Sequence, residues 1–258
     1  MAATYKTEGI ILRRWDYREK DRMVRLFTRD YGKLTMRAIS AKKATAKLAG
    51  HIEPFLYTDL FIANSKTIDI IAGSNTITAH ARLRQSLLHN TLASFFVEVV
   101  DRFTEEREPD PELFDFVHDF LSWLNDTDQP NALSAYAAIL QLFGLLGYHI
   151  ELFMCHQCHQ PIRAALENES SRFSFKMWNV ECASCRTEDE AATLSDEAIK
   201  VLRYMLSERY HGAARLQLSR VEWEEVDQFV RALLRYHANT DLKSETVLLS
   251  ILASLASN

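Results

Sequence analysis

The sequence predicts an α+β protein: a small five-stranded β-barrel at the amino end, then a helical body into which a four-cysteine element is inserted. Three observations predict it. Short β-rich runs occupy the chain up to residue 79, apolar residues at helical spacing dominate from residue 80, and two C-x₂-C pairs interrupt the helical texture. With 258 residues, 47% of them apolar, the chain can bury one large core or two ordinary ones. The expected domains are 1–79 and 80–258, with the cysteine element at about 149–190.

The strands are expected at 9–15, 22–29, 33–40, 55–63 and 67–71, separated by polar or glycine turns. Because side chains alternate across a strand, Val24 and Leu26 fall on one face and Arg25, Phe27 and Arg29 on the other. Leu34, Met36 and Ala38 oppose Lys33, Thr35 and Arg37 in the same way.

Helical spacing begins with Leu83, Leu87, Leu88, Leu92, Phe95, Phe96, Val99, Val100 and Phe103, which form one wide apolar stripe. Asp110-Pro111-Glu112 reads as cap, first-turn proline and first-turn carboxylate of a second helix through Leu124. A third runs from about Asn131 to Leu146 and stops at Gly147. Farther on, Ser195 caps a helix whose Leu194 staples onto Ile199, and Ser219 with Glu222 has capping-box spacing. The apolar run 247–255 predicts one more helix, packed onto the body.

Cys155-His-Gln-Cys158 and Cys182-Ala-Ser-Cys185 are the four cysteines of the chain, and 23 residues separate the two pairs. Each pair offers two thiolates from one tight turn, so together they close a tetrahedral shell around Zn²⁺ and leave no position for substrate. The metal is therefore expected to be structural. Surface thiols, disulfides and a redox-active C-x-x-C are the competing readings. His149, His156 and His159 are spare donors that four sulfurs make unnecessary.

The formal net charge of −5 hides a polarity. Residues 1–50 hold 13 Lys and Arg against 5 Asp and Glu, a net of +8, leaving −13 for the remainder. The candidate nucleic-acid-binding residues are Arg13, Arg14, Arg18, Lys20, Arg22, Arg25, Phe27, Arg29, Lys33, Arg37, Lys42, Lys43 and Lys47, interleaved with Trp15, Tyr17 and Tyr31. Cations neutralise phosphates and release counterions, while exposed rings stack on unpaired bases. The five-stranded barrel that usually carries such a face is the OB-fold.

No phosphate-cradling glycine loop, dinucleotide fingerprint or G-x-S-x-G elbow occurs in the sequence. Carboxylates such as Glu105, Glu106, Asp115 and Asp119 read as solvated helix surface. The sequence also lacks a run of about 18 apolar residues or a secretory leader, so a cytoplasmic protein with no membrane partner is expected.

The opening Thr7-Glu-Gly-Ile-Ile-Leu-Arg-Arg-Trp-Asp-Tyr-Arg-Glu-Lys-Asp-Arg-Met-Val, followed by Leu26-Phe-Thr-Arg-Asp-Tyr-Gly-Lys33, resembles the start of RecO proteins. Glu53-Pro54-Phe55, Leu145-Leu146-Gly147-Tyr148, Phe173-Ser174 and Leu242-Lys243-Ser244 are further points of similarity. Family members often carry Gly-Gly where this chain has Trp178-Asn179. The resemblance implies an amino-terminal OB-fold, a helical carboxy-terminal domain with the zinc element, and no catalytic turnover. It further implies binding of single- and double-stranded DNA at the nucleoid, annealing of complementary strands, and pairing with RecR. Engagement of the carboxy-terminal tail of single-strand-binding protein, so that RecA can load, follows from the same resemblance. A zinc-dependent or carboxylate-dependent nucleic-acid enzyme and a zinc-stapled transcriptional regulator remain the alternatives.

Overall fold

A computed structural model describes residues 4–43, 46–162, 171–185 and 190–256. Contacts divide the chain into two units, residues 1–130 with 244–258, and residues 131–243. The expected division at 79/80 therefore marks a change from strands to helices inside the first unit.

In that unit β1 (Thr4–Tyr17), β2 (Asp21–Thr28), β3 (Gly32–Ala38), β4 (Tyr57–Ala63) and β5 (Ile70–Thr78) close a barrel of order β1-β2-β3-β5-β4. The strand β1 is long enough to serve two neighbours, pairing with β4 through its first half and β2 through its second, with a bulge between Ile11 and Arg13. The alternation expected of β2 and β3 holds: Val24, Leu26, Leu34, Met36 and Ala38 fill the barrel with Leu60, Ile62 and Ile71. The resulting closed five-stranded barrel is an OB-fold.

The fifth strand departs from its expected position, lying at 70–78 rather than 67–71. Asp69 explains the shift: its carboxylate accepts from the Ser65 N–H at 3.0 Å and pairs with Arg107 at 3.1 Å, which makes 65–69 a loop. Most of β5 is only partly buried, so its sequence carries little apolar alternation.

β3 pairs with β2 along its length but meets β5 only where Arg37 pairs with Ile70, which leaves the other edge of its first residues without a strand neighbour. The segment around Glu106 and Arg107 fills the gap, with Arg107 N–H donating to the Lys33 carbonyl at 2.9 Å. Gly32 permits this approach. Its φ is +66°, and a Cβ there would lie 2.1 Å from the Glu108 carbonyl oxygen.

Helices α1 (Ala81–Gln85), α2 (Leu87–Phe103) and α3 (Pro111–Asp126) follow in the same unit. The expected single stripe from Leu83 is broken at Ser86, whose backbone is extended, and Leu87 turns out to solvent. Asp110 caps α3 as expected, accepting from Leu113 N–H at 2.9 Å. The last helix, α7 (Lys243–Ala256), belongs to this unit as well: Ser244 donates its N–H to Glu98 of α2 at 2.8 Å.

The second unit contains α4 (Ala132–Leu145), a sheet of order β7-β6-β8, α5 (Asp196–Ala213) and α6 (Arg220–Ala238). The sheet, β6 (Ser171–Ser174), β7 (Asn179–Glu181) and β8 (Ala191–Leu194), lies in and just after the inserted cysteine element, where no strands were expected. Three- and four-residue strands are too short to leave a periodic signal in sequence. Two helix caps are as expected, Ser195 on α5 and the complete capping box of Ser219 with Glu222 on α6, and Asn131, expected only as the start of its helix, caps α4. No helix among the described residues is long and apolar enough to cross a membrane.

Candidate metal centre and nucleic-acid interface

The cysteine site is assembled by backbone pairing. The segment 151–156 runs beside β7, with Glu151 N–H bonded to the Trp178 carbonyl at 2.9 Å and His156 N–H to the Val180 carbonyl at 3.1 Å. That pairing carries the first cysteine turn to the end of β7, where Cys182 begins the second. His159, just after Cys158, takes φ +55°, and its N–H returns to the Cys155 carbonyl at 3.0 Å, closing the first turn tightly. A short 3₁₀ turn, Ala183–Cys185, closes the second.

The four sulfurs lie within 4.8 Å of one another, and Cys158 Sγ stands 3.8 Å from Cys182 Sγ. A metal about 2.3 Å from each of four tetrahedral sulfurs requires sulfur–sulfur edges of about 3.8 Å. The cluster thus has the dimensions to hold one ion, and all four cysteines are free rather than disulfide-bonded. His149, His156 and His159 are not part of the group.

The thiols differ in their surroundings. Burial opposes the Cys155 thiolate, yet N–H groups of Cys182, Cys158 and Gln157 overcome it and bring the pKa down to about 6. Cys185 is pushed up to about 12, first by its hydrogen bond with Cys182 and then by that with Cys158. Cys182 is raised as well, chiefly by burial.

Two further residues support the site: Arg203, which gave no sequence signal, and Trp178, which stood out only as a departure from the resembled family's Gly-Gly. Arg203 of α5 donates from Nε and a terminal nitrogen to the Leu152 carbonyl at 3.2 and 2.6 Å, and to the Ile162 carbonyl at 3.0 Å. It ties together the two arms that carry the first cysteine turn. Trp178 has φ +55°, a conformation that favours glycine, which fits the Gly-Gly common at this place in the resembled family. Here the ring compensates by stacking on His237 at 4.0 Å and Tyr148 at 4.7 Å.

The thirteen candidate residues of the basic face separate into three groups. Phe27 is 1% exposed and packs against Phe114 at 5.9 Å, so it belongs to the core and cannot stack on a base. Its strand position does point outward, as the alternation implied, but α3 covers it. A second group is paired with acids. Arg13 and Arg25 reach Asp101 at 2.9 and 3.0 Å, Arg25 reaches Glu106 at 3.1 Å, and Arg29 reaches Asp115 at 2.7 Å. Lys33 is buried, its ammonium on the Asp101 and Thr104 carbonyls, and burial pulls its pKa down. Arg14 pairs with Glu53 at 2.8 Å, Arg37 with Asp21 at 2.5 Å, and Lys42 with Asp16 at 2.9 Å. Arg22 lies near Asp16 and Glu53 at 3.7 and 4.0 Å.

Arg18, Lys20, Lys43 and Lys47 form the third group. They are exposed and make no ion pair among the described residues. Arg18 and Lys20 occupy the β1–β2 turn, and the Lys20 carbonyl accepts from Lys42 N–H at 3.0 Å, so this turn and the loop after β3 lie side by side at one end of the barrel. The ring of Tyr17 lies between the Arg18 and Arg37 guanidinium groups at 5.3 and 5.8 Å.

The fold and site define a class of protein in which an OB-barrel with exposed cations at one end is joined in one chain to four cysteines that could hold a metal ion. The comparisons narrow the class. The family model described as Recombination protein O N terminal matches residues 1–80, and that described as Recombination protein O C terminal matches residues 84–246. A DNA repair protein RecO of Dehalococcoides mccartyi is 32% identical over 232 residues, covering 90% of each chain. Another, of Roseiflexus sp., is 33% identical over 241 residues, covering 93% of this chain and 83% of the relative. The chain belongs to the RecO family of DNA repair proteins.

Proposed function

We propose that the protein is a non-catalytic recombination mediator that binds single- and double-stranded DNA without sequence preference and anneals complementary strands. With RecR and the tail of single-strand-binding protein it helps RecA to load, in the cytoplasm at the nucleoid. The observation that carries the reading is the group of free cations, Arg18, Lys20, Lys43 and Lys47, on two adjoining loops of an OB-barrel. Such a surface neutralises phosphates through counterion release and reads no base edges. Holding two backbones at once offsets the mutual repulsion that slows their pairing.

The metal in this reading is Zn²⁺, structural and ligated by Cys155, Cys158, Cys182 and Cys185. Four thiolates suit zinc, and a complete four-ligand shell offers no open position for a reacting group.

Fluorescence-monitored annealing of two complementary oligonucleotides across a salt series tests the proposal. Acceleration that weakens with salt, with strands of unchanged length, is the expected result. A folded protein that neither binds nor accelerates contradicts it, and cleavage of the strands would favour the enzyme instead.

A further inference from the structure

Asp101, Glu106 and Asp115 stand against the outer face of the barrel, where its arginines would otherwise meet a phosphate backbone. Residues 51–130 hold 14 acidic against 5 basic residues, and they fold in the same unit as the basic 1–50. We propose that Asp115, backed by Asp101 and Glu106, is a negative determinant of the DNA path: these carboxylates occupy the face arginines and confine nucleic acid to the barrel end. The proposal rests on the DNA-binding reading above.

The contacts grade the face from fixed to displaceable. Every nitrogen of the Arg25 guanidinium is engaged, with Thr35 at 3.1 Å, Asp101 at 3.0 Å and Glu106 at 3.1 Å. Lys33 is 5% exposed and out of reach of any phosphate. Arg13, although 54% exposed, holds the largely buried Asp101 at 2.9 Å and lies over the Trp15 ring at 4.8 Å, so its pair has one sheltered partner. Arg29 differs. It grips Asp115 through two nitrogens at 3.2 and 2.7 Å, but the two side chains are 49% and 53% exposed. A solvent-screened pair of this kind is weak, so a phosphate can compete for Arg29 with the carboxylate that holds it.

Binding of a labelled single-stranded oligonucleotide across a salt series, followed by anisotropy, tests this with a matched control. Asp119 lies on the same helix, is 71% exposed, and approaches the neighbouring His118 at 3.7 Å rather than any barrel arginine. Asp115→Asn and Asp119→Asn remove the same charge, but Asp115→Asn alone frees Arg29. The expected result is about threefold tighter binding for Asp115→Asn, the scale of one exposed ion pair. Its log–log salt slope should steepen by about 0.7, one added phosphate contact on a single strand. Asp119→Asn should show a smaller gain with no change of slope, and the Asp115→Asn gain should vanish in an Arg29→Ala background. Equal effects of the two substitutions, no effect of Asp115→Asn, or a gain that persists without Arg29 would each overturn the determinant while leaving the DNA reading intact. Failure of wild type and all variants to bind DNA would overturn both.

Discussion

Single residues show where charge and aromaticity are put to use. Phe27 has strand alternation that faces it away from the barrel core, yet α3 buries it. Phe27→Ala should therefore lower unfolding free energy by about 3–5 kcal/mol, the cost of truncating a fully packed ring. Denaturant titration would measure it; a variant as stable as wild type would return Phe27 to the surface. His80 is the titrating counterpart, buried with its ring bonded to the Phe55 carbonyl at 2.7 Å and Ser122 at 3.1 Å. Burial holds its pKa below the usual imidazole range, and burial does the same to His237. For an imidazole whose folded pKa is depressed, the folded state favours the neutral ring. Its stability contribution is complete above the unfolded value near 6.5 and is lost as pH falls towards the folded value. Tm should accordingly fall between about pH 6.5 and 5, by less in His80→Gln than in wild type.

Among the elements, those with strong local signals were legible in the sequence. The caps at Asp110, Ser195 and Ser219 and the alternation of β2 and β3 rest on neighbouring residues, and the structure holds each of them. The two cysteine turns were legible for the same reason, since each pair of ligands is local. What escaped was the start of β5, set in part by the distant pair of Asp69 with Arg107; the break at Ser86; and the small sheet β7-β6-β8, whose strands are too short to leave a pattern. Arg203 escaped because a helical arginine gives no hint that its targets are carbonyls some 40 to 50 positions earlier. Arg203→Met should lower stability by about 1–3 kcal/mol by leaving the Leu152 and Ile162 carbonyls unsatisfied. Replacing both Cys182 and Cys185 with Ser should abolish metal binding and lower Tm, because ligation and folding are linked. A chelator should reproduce that loss in wild type and add nothing in the variant; equal chelator sensitivity in both would remove these cysteines from the site.

For the whole molecule, the charge polarity of the sequence was real but its meaning was only half legible. The +8 of residues 1–50 predicted a polyanion partner, and much of it is answered within the chain by Glu53, Asp101, Glu106 and Asp115. Composition counts charges; folding decides which of them remain free. Among the described residues, Arg18, Lys20, Lys43 and Lys47 are exposed without an ion pair on the turn after β1 and the loop after β3, which is where the proposed DNA contact falls, while Lys6 lies exposed on β1. The most direct test is the salt dependence of single-stranded DNA affinity for wild type beside a variant with Arg18, Lys20, Lys43 and Lys47 all changed to Ala. Weaker binding with a salt slope shallower by about 0.7 for each lost contact, at unchanged Tm, is the predicted result. A variant that keeps both affinity and slope would contradict it and place the DNA elsewhere on the molecule.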